Sequence, residues 1–186
     1  MASVRGLPPR TRDGDRVGRR WALTAMSDVK SGFAAPAAPT PDEFSATRVA
    51  LLSTRWNVEI IDALRAGAHR ALADWGVVDA RVVEVRAPGA FELPLAANVL
   101  LHGGRFDAVV ALGAVIRGDT PHFDYVCGQC ARGLMDVQLK FNKPVAFGVL
   151  TVNTVAQALE RCGPGDDNKG YEAVCAALDM LRLIRG

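Results

Sequence analysis

The chain has 186 residues, of which 49% are hydrophobic and 23% are charged, a composition that suits one globular domain with a packed core. Residues 1–45 carry seven Lys or Arg and five Asp or Glu, whereas residues 46–186 carry fifteen of each, so the net charge of +2 lies entirely in the N-terminal part. The neutral body argues against binding to duplex nucleic acid, and no apolar run approaches the ~18 residues that a membrane-spanning helix requires.

Residues 1–45 are predicted to form a disordered or weakly ordered N-terminal extension. They hold five of the ten prolines, and no apolar periodicity runs through them. The first twenty residues contain six Arg without a following apolar segment, which argues against a secretory signal. We expect a cytoplasmic protein, with an organelle presequence and a start at Met26 as alternatives. The catalytic domain is predicted to span residues 46–186.

From residue 48 onwards, strands and helices are predicted to alternate. Apolar runs predict four strands, and apolar residues at helical spacing predict the helices between them. In chain order the predicted elements are strand 48–53, helix 57–75, strand 81–85, helix 92–101, strand 107–116, helix 121–141, strand 144–151, helix 154–162 and helix 170–185. This order indicates an α/β fold with a parallel sheet that helices cover on both faces. Ligands bind such sheets at the carboxyl ends of the strands, so we expect the functional residues there.

The loops after the first two strands contain aromatic and acidic candidates. Trp56 is placed either to stack on a planar ligand or to cover the core, and Asn57 is predicted to cap the following helix. In the second loop, Gly89 allows the backbone to approach a ligand closely. Glu92 is predicted in the first helical turn, where it either faces a ligand or complements the helix dipole.

The loop after the third strand is the most informative. Thr120 and Pro121 are predicted at the N-cap and first positions of a helix. A helix start offers N–H groups and a positive dipole end to an anion such as phosphate. His122 would lie beside that anion in its neutral form, able to take up and return a proton. The alternative is a capping or packing histidine.

The cysteines and the remaining cations are less specific signals. Cys127 and Cys130 form a C-x-x-C inside a predicted helix. Because neither opens that helix and no second Cys/His pair lies at ligand spacing, a structural role is favoured over a redox or zinc site. All four cysteines are expected to be reduced thiols. Arg161 and Lys169 follow the fourth strand, and each is either a phosphate ligand or a solvated surface charge.

Five segments in register resemble the lumazine synthases, enzymes of riboflavin biosynthesis. The segments are residues 55–57, 88–94, 112–126, 144–151 and 168–170, within a resemblance over about residues 48–185. It implies a flavodoxin-like three-layer sandwich with a four-stranded parallel sheet, and a homopentamer with active sites between neighbouring subunits. It also implies the penultimate step of the pathway, in which 5-amino-6-(D-ribitylamino)uracil and 3,4-dihydroxy-2-butanone 4-phosphate condense to 6,7-dimethyl-8-ribityllumazine without a cofactor or a metal.

The resemblance also implies roles for individual residues. His122 matches the proton-transfer residue, and Asp119, Thr120 and Arg161 match the ligands of the butanone phosphate. Phe147 and Arg161 would reach the site from the neighbouring subunit, although the apolar strand around Phe147 by itself predicts a core position. The residues implied to bind the ribitylaminouracil are Trp56, Ala90, Phe91, Glu92, Ala114, Val115, Ile116, Phe147 and Lys169.

The chain departs from the family pattern at two places. Trp56 stands where most relatives have Phe, which preserves ring stacking, and loop 163–169 has Gly and Asp where the family has an additional Lys, which removes one basic contact to phosphate. The resemblance leaves open a sixty-subunit shell and an association with riboflavin synthase. Two alternatives to the enzyme are a flavin- or lumazine-binding paralogue and a shell protein whose role is enclosure.

Overall fold

The computed structural model describes residues 37–40 and 42–186, and the predicted order of elements is confirmed. The strands are β1 Val49–Thr54, β2 Val82–Ala87, β3 Ala108–Ile116 and β4 Val145–Val152, and the helices are α1 Val58–Asp74, α2 Leu93–His102, α3 His122–Phe141, α4 Val155–Glu160 and α5 Lys169–Arg185. Short 3-10 turns at Asp79–Arg81 and Ala90–Glu92 precede β2 and α2. Among the helices of the described residues, none has the length and apolar character needed to cross a bilayer.

The four strands form one parallel sheet in the order β2-β1-β3-β4, as the alternation of strands and helices predicts. The two central strands end at different levels. The pairing of β1 with β3 stops at Ser53 opposite Leu112, whereas the pairing of β3 with β4 continues to Ile116 opposite Val152. The last residues of β3 therefore extend beyond the ladder that joins β3 to β1.

Each face of the sheet has its own apolar core, because successive strand residues point to opposite faces. Helices α1, α4 and α5 cover one face, where Leu51 and Val110 are buried. Helices α2 and α3 cover the other, where Leu52 and Val109 are buried. The result is the predicted three-layer α/β sandwich. Burial on both faces also explains why β3 is a nearly continuous apolar run.

Residues 42–45, within the predicted N-terminal extension, pack against the end of α5. Phe44 is fully buried, and its ring centre lies 5.4 Å from that of Trp75. The Arg182 guanidinium lies 5.1 Å from the Trp75 ring and donates to both carboxylate oxygens of Glu43, at 2.6 and 3.1 Å. This segment therefore contributes to the first core. Residues 1–36 and 41, with the alternative start at Met26, lie outside the described residues.

The Glu43–Arg182 pair predicts an acid-dependent loss of stability. Hydrogen bonds from Arg182 lower the pKa of Glu43 from 4.5 to about 2. A carboxyl group whose pKa is lowered by folding stabilises the folded state above its unfolded pKa, and this contribution is lost as the pH falls towards the folded pKa. We therefore expect Glu43→Gln to be less stable than the wild type at neutral pH, with a difference that shrinks between about pH 5 and about pH 2.

Urea unfolding of both proteins across this pH range measures the difference. A stability difference that is the same at every pH would show that the ionised carboxylate contributes nothing specific.

Candidate active site

The site residues expected from the sequence lie in two groups on the chain. The strand-end group lies at the carboxyl ends of β1, β2 and β3 and comprises Trp56, Ala90, Phe91, Glu92, Ala114, Val115, Ile116, Asp119, Thr120 and His122. The edge group lies along β4 at one side of the sheet and comprises Phe147, Arg161 and Lys169. A single chain therefore presents these residues on two different parts of its surface.

The strand-end group surrounds the crevice where β1 and β3 diverge. From these two central strands the chain crosses to opposite edges of the sheet, and such a switch point is where open α/β sheets bind ligands. Beyond Leu112, the backbone of Ala114–Ile116 extends past its ladder with β1. The Ala114 side chain is buried, and those of Val115 and Ile116 pack against the two cores. These three residues thus offer the crevice mainly their backbone groups.

Two side chains converge over Gly89 beside this crevice. A Cβ on Gly89 would lie 3.1 Å from a carboxylate oxygen of Glu92 and 3.6 Å from the Trp56 ring, so the glycine leaves both side chains room. The Trp56 indole is 72% exposed, and Phe91 is 58% exposed next to the buried Ala90. An exposed indole can stack on a planar heterocycle, and a carboxylate accepts hydrogen bonds from hydroxyl groups.

Asn57 does not cap α1, and that prediction is wrong. Its backbone is left-handed with a φ of 56°, and its side chain makes no hydrogen bond to the helix. Instead, Nδ2 donates to the carbonyl oxygen of Ala114 at 3.1 Å. This bond crosses the crevice and joins the loop that carries Trp56 to the end of β3. The residue type alone does not predict this role, because asparagine is equally suited to a helix cap, a left-handed turn and a hydrogen bond to a distant residue.

Arg117 holds the base of the loop after β3. Its guanidinium donates to Asp124 at 2.8 Å and to Asn153 at 3.1 Å, and lies 4.1 Å from the centre of the Phe123 ring. The hydrogen bond from Arg117 lowers the pKa of Asp124. Sequence reasoning gave Arg117 no role, and its charge is already paired with a carboxylate. The anion-binding capacity of this loop therefore depends on the start of α3.

The start of α3 is open and lies one residue later than predicted. Pro121 occupies the N-cap position, His122 is the first helical residue, and no side chain of the described residues caps this helix. Asp119, Thr120 and His122 are all exposed. The positive end of a 20-residue helix is thus available to an anion, with the His122 imidazole beside it.

A groove with a volume of about 420 Å³ runs along the outer edge of β4. Phe147 lines it and is 44% exposed, so the core position predicted from the apolar strand is wrong. The reason is that β4 is an edge strand. The core beneath α2 and α3 includes Val145 and Val149 on the same strand face but leaves the Phe147 ring uncovered.

Arg161, which follows α4, and Lys169, the first residue of α5, line the same groove. The Arg161 guanidinium donates to the carbonyl oxygen of Gln157 at 2.8 Å, and the Lys169 ammonium pairs with Glu172 at 2.6 Å. Both cations are partly buried. The groove thus combines an exposed aromatic ring with two cations, each beside a carboxylate, because Glu160 also lies 3.6 Å from Arg161. An anion that binds here has to compete with Glu160 and Glu172 for the two cations.

The C-x-x-C of α3 has the features of a structural pair. Cys130 is fully buried, and burial raises the pKa of its thiol to about 12. Burial also raises the pKa of the Cys127 thiol. Thiols with raised pKa values are poor nucleophiles, because the thiolate is the reactive form. All four cysteines of the chain are free.

Comparison with known protein families matches residues 46–185 to the family model described as 6,7-dimethyl-8-ribityllumazine synthase. The match confirms the resemblance that five sequence segments indicate. The matched range includes every residue of the strand-end and edge groups.

The Asn57–Ala114 bond predicts a stability cost for Asn57→Gly of about 1 kcal/mol in the free energy of unfolding. Glycine adopts a φ of 56° without strain, so this change removes the hydrogen bond and leaves the backbone conformation accessible. Denaturant unfolding measures the effect.

Asn142→Gly is the matched control. Asn142 is also left-handed, with a φ of 50°, and it ends α3, where glycine is favoured. We expect this variant to be as stable as the wild type or more stable. Equal losses in the two variants would contradict a stabilising role for the bond to Ala114.

Proposed function

The chain belongs to the 6,7-dimethyl-8-ribityllumazine synthase family, and from this we propose that it condenses 5-amino-6-(D-ribitylamino)uracil with 3,4-dihydroxy-2-butanone 4-phosphate, with release of phosphate and water. The family makes lumazine for riboflavin biosynthesis. The observation that carries the proposal is the crevice between β1 and β3. An exposed indole, a carboxylate and the positive end of a helix all border this one opening.

The crevice is the proposed site for the ribitylaminouracil. Trp56 stacks on the pyrimidine ring, and Glu92 accepts hydrogen bonds from the ribityl hydroxyls. Ala90 and Phe91 border the ring. The end of β3, Ala114–Ile116, contacts the ring and the ribityl chain through the backbone groups that extend beyond the ladder with β1.

The start of α3 is the proposed site for the phosphate of the second substrate. Asp119 and Thr120 bring the loop backbone to this helix start, where the dipole favours an anion. Arg161 supplies a positive charge that can bind phosphate through two parallel hydrogen bonds. In this proposal Phe147 and Arg161 come from a neighbouring subunit, and Lys169 lies near the site and binds the ribitylaminouracil.

The proposed reaction needs orientation and proton transfer. The exocyclic amine of the uracil attacks the butanone carbonyl, and loss of water forms an imine. Removal of a proton expels phosphate, and the enol that remains rearranges to a ketone. The second amine attacks this ketone, and loss of a second molecule of water closes the ring. His122 is the first residue of α3, and in this proposal it moves these protons beside the phosphate. Holding two reactants in contact can supply much of the remaining acceleration.

The surface of α2 and α3 supports the proposed homopentamer. Leu95 and Val99 lie four residues apart on α2 and are 69% and 63% exposed, and Met135 and Leu139 repeat this spacing on α3 with 52% and 66% exposure. Large apolar side chains in such rows are typical of a protein interface. In a ring, one surface of each subunit contacts a different surface of the next, which would bring an edge group to a neighbour's crevice. A sixty-subunit shell is the larger assembly, and light scattering distinguishes the two.

The test of this function is an assay with both substrates, read at the absorbance of the lumazine product. We expect turnover by the wild type, and a slow but measurable rate for His122→Ala, because orientation of the substrates persists without the proton carrier. A rate below detection in a folded His122→Ala protein that binds both substrates would show that orientation of the substrates alone does not accelerate the reaction. Ligand binding without turnover by the wild type would favour the flavin- or lumazine-binding alternative.

A shared active site predicts complementation between two impaired variants. Trp56→Ala impairs the crevice and Arg161→Ala impairs the edge group, so neither forms a complete site alone. When the two are unfolded, mixed in equal amounts and refolded together, about a quarter of the sites should receive an intact half from each chain. The assay should then recover activity towards that fraction of the wild type.

Refolding each variant separately and then mixing is the control, and it should recover nothing if subunits do not exchange. Failure of the co-refolded mixture to exceed this control would show that both halves of the site come from one chain.

A further inference from the structure

The side-chain amide of Asn168 is buried and fully hydrogen-bonded. Only 1% of the residue is exposed. Its Oδ1 accepts from the backbone N–H groups of Gly170 at 2.8 Å and Tyr171 at 3.2 Å, which caps α5. Its Nδ2 donates to the carbonyl oxygens of Ala63 at 3.1 Å and Gly163 at 2.8 Å. One side chain thus joins the middle of α1, the loop before α5 and the start of α5.

Two glycines make space for this amide. A Cβ on Gly67, in α1, would overlap the side-chain amide of Asn168, and a Cβ on Gly170 would overlap the backbone of Leu64. Glycine inside a helix is less favourable than alanine. At Gly67, however, any other residue would place a Cβ where the Asn168 amide lies, so only glycine allows the two to come this close.

The loop that Asn168 holds carries both cations of the edge group. The backbone N–H of Lys169 donates to the carbonyl oxygen of Arg161 at 2.9 Å, so the loop is closed between the two. Between them lie Gly163 and Gly165, which give the backbone many accessible conformations. The donor half of the Asn168 amide removes that freedom by tying Gly163 to α1.

We propose that Asn168 is a positioning residue, which holds Arg161 at the β4 groove, with Lys169 beside it, in the arrangement that lets Arg161 bind the substrate phosphate. This inference rests on the proposed function. The affinity of a guanidinium for phosphate depends on its placement, and a displacement of about 1 Å can cost up to about a hundredfold in rate. Asn168 acts on that placement without touching the substrate.

Asn168→Ser tests the donor half of the amide. Serine keeps a neutral oxygen that can cap α5, but it has no donor that reaches Ala63 and Gly163 together. The substitution adds no charge near the two cations. The capping role of Asn168 is therefore largely kept while the loop is released.

Gly67→Ala tests the same contact from the other side. Alanine favours the helix, but its methyl group displaces the Asn168 amide from α1. Gly128→Ala is the matched control, because Gly128 also lies inside a helix, α3, and a Cβ there meets nothing within 4 Å. Leu72→Ala is the control for lost stability, since Leu72 is 2% exposed in the core and lies about 13 Å from Ala63 along α1.

The measurement is the affinity of each full-length variant for inorganic phosphate, by calorimetry, at a temperature where all are folded. The Michaelis constant for the butanone phosphate provides a second readout. We expect Asn168→Ser and Gly67→Ala to bind phosphate about tenfold more weakly than the wild type and to raise that constant. Gly128→Ala and Leu72→Ala should change phosphate affinity less than about twofold.

The outcomes separate this inference from the proposed function. Wild-type turnover together with wild-type phosphate affinity in Asn168→Ser and Gly67→Ala overturns the positioning role and leaves the function standing. Weaker phosphate binding in these two variants supports the positioning role even if no lumazine forms. A wild type that does not bind phosphate, or an equal loss in Leu72→Ala, overturns the inference. If Asn168→Ser does not fold, Gly67→Ala against Gly128→Ala decides.

Discussion

The crevice exists because the two central strands of the sheet end at different levels. The chain leaves β1 at Thr54 to enter α1, whereas β3 stays paired with β4 as far as Ile116. A parallel sheet also places every strand-to-helix loop at the same edge. Side chains from three distant parts of the sequence therefore meet at one opening. The two apolar cores behind the sheet keep that opening in place, because neither central strand can move without exposing buried residues.

A single chain carries the two halves of the proposed site on different surfaces. A complete site would therefore form only when two subunits assemble. The crevice offers a ring-binding surface and a helix start, and the β4 groove offers an aromatic ring and two cations. Under the proposed assembly, each subunit would complete its neighbour's site. Selection for activity would then also preserve the subunit contacts. The neutral body of the chain is consistent with this arrangement, because an anionic substrate would meet a few local groups and no broad basic surface.

The order of elements could be predicted because long, strongly periodic segments depend on burial, and burial leaves a pattern in the sequence. Contacts between distant residues leave no such pattern. The alternation along β4 does not reveal that it is an edge strand, so Phe147 was expected in the core. Asn168 and Ala63 are bonded although 105 residues separate them. Phe44 is one apolar residue in a proline-rich stretch, yet it is buried. The roles within the candidate site came from the family resemblance, since the residues alone left a structural alternative for Trp56 and His122.

The two tryptophans that the structure describes lie in opposite surroundings. Trp56 is 72% exposed at the crevice, and Trp75 is 6% exposed between Phe44 and Arg182. An indole in water emits at longer wavelength than an indole in an apolar core, so in a Trp21→Phe chain, which keeps only these two tryptophans, their fluorescence can be separated by wavelength. Such a chain has an intrinsic optical reporter at each end of its sheet. One responds to whatever enters the crevice, and the other to the packing of the N-terminal segment on α5.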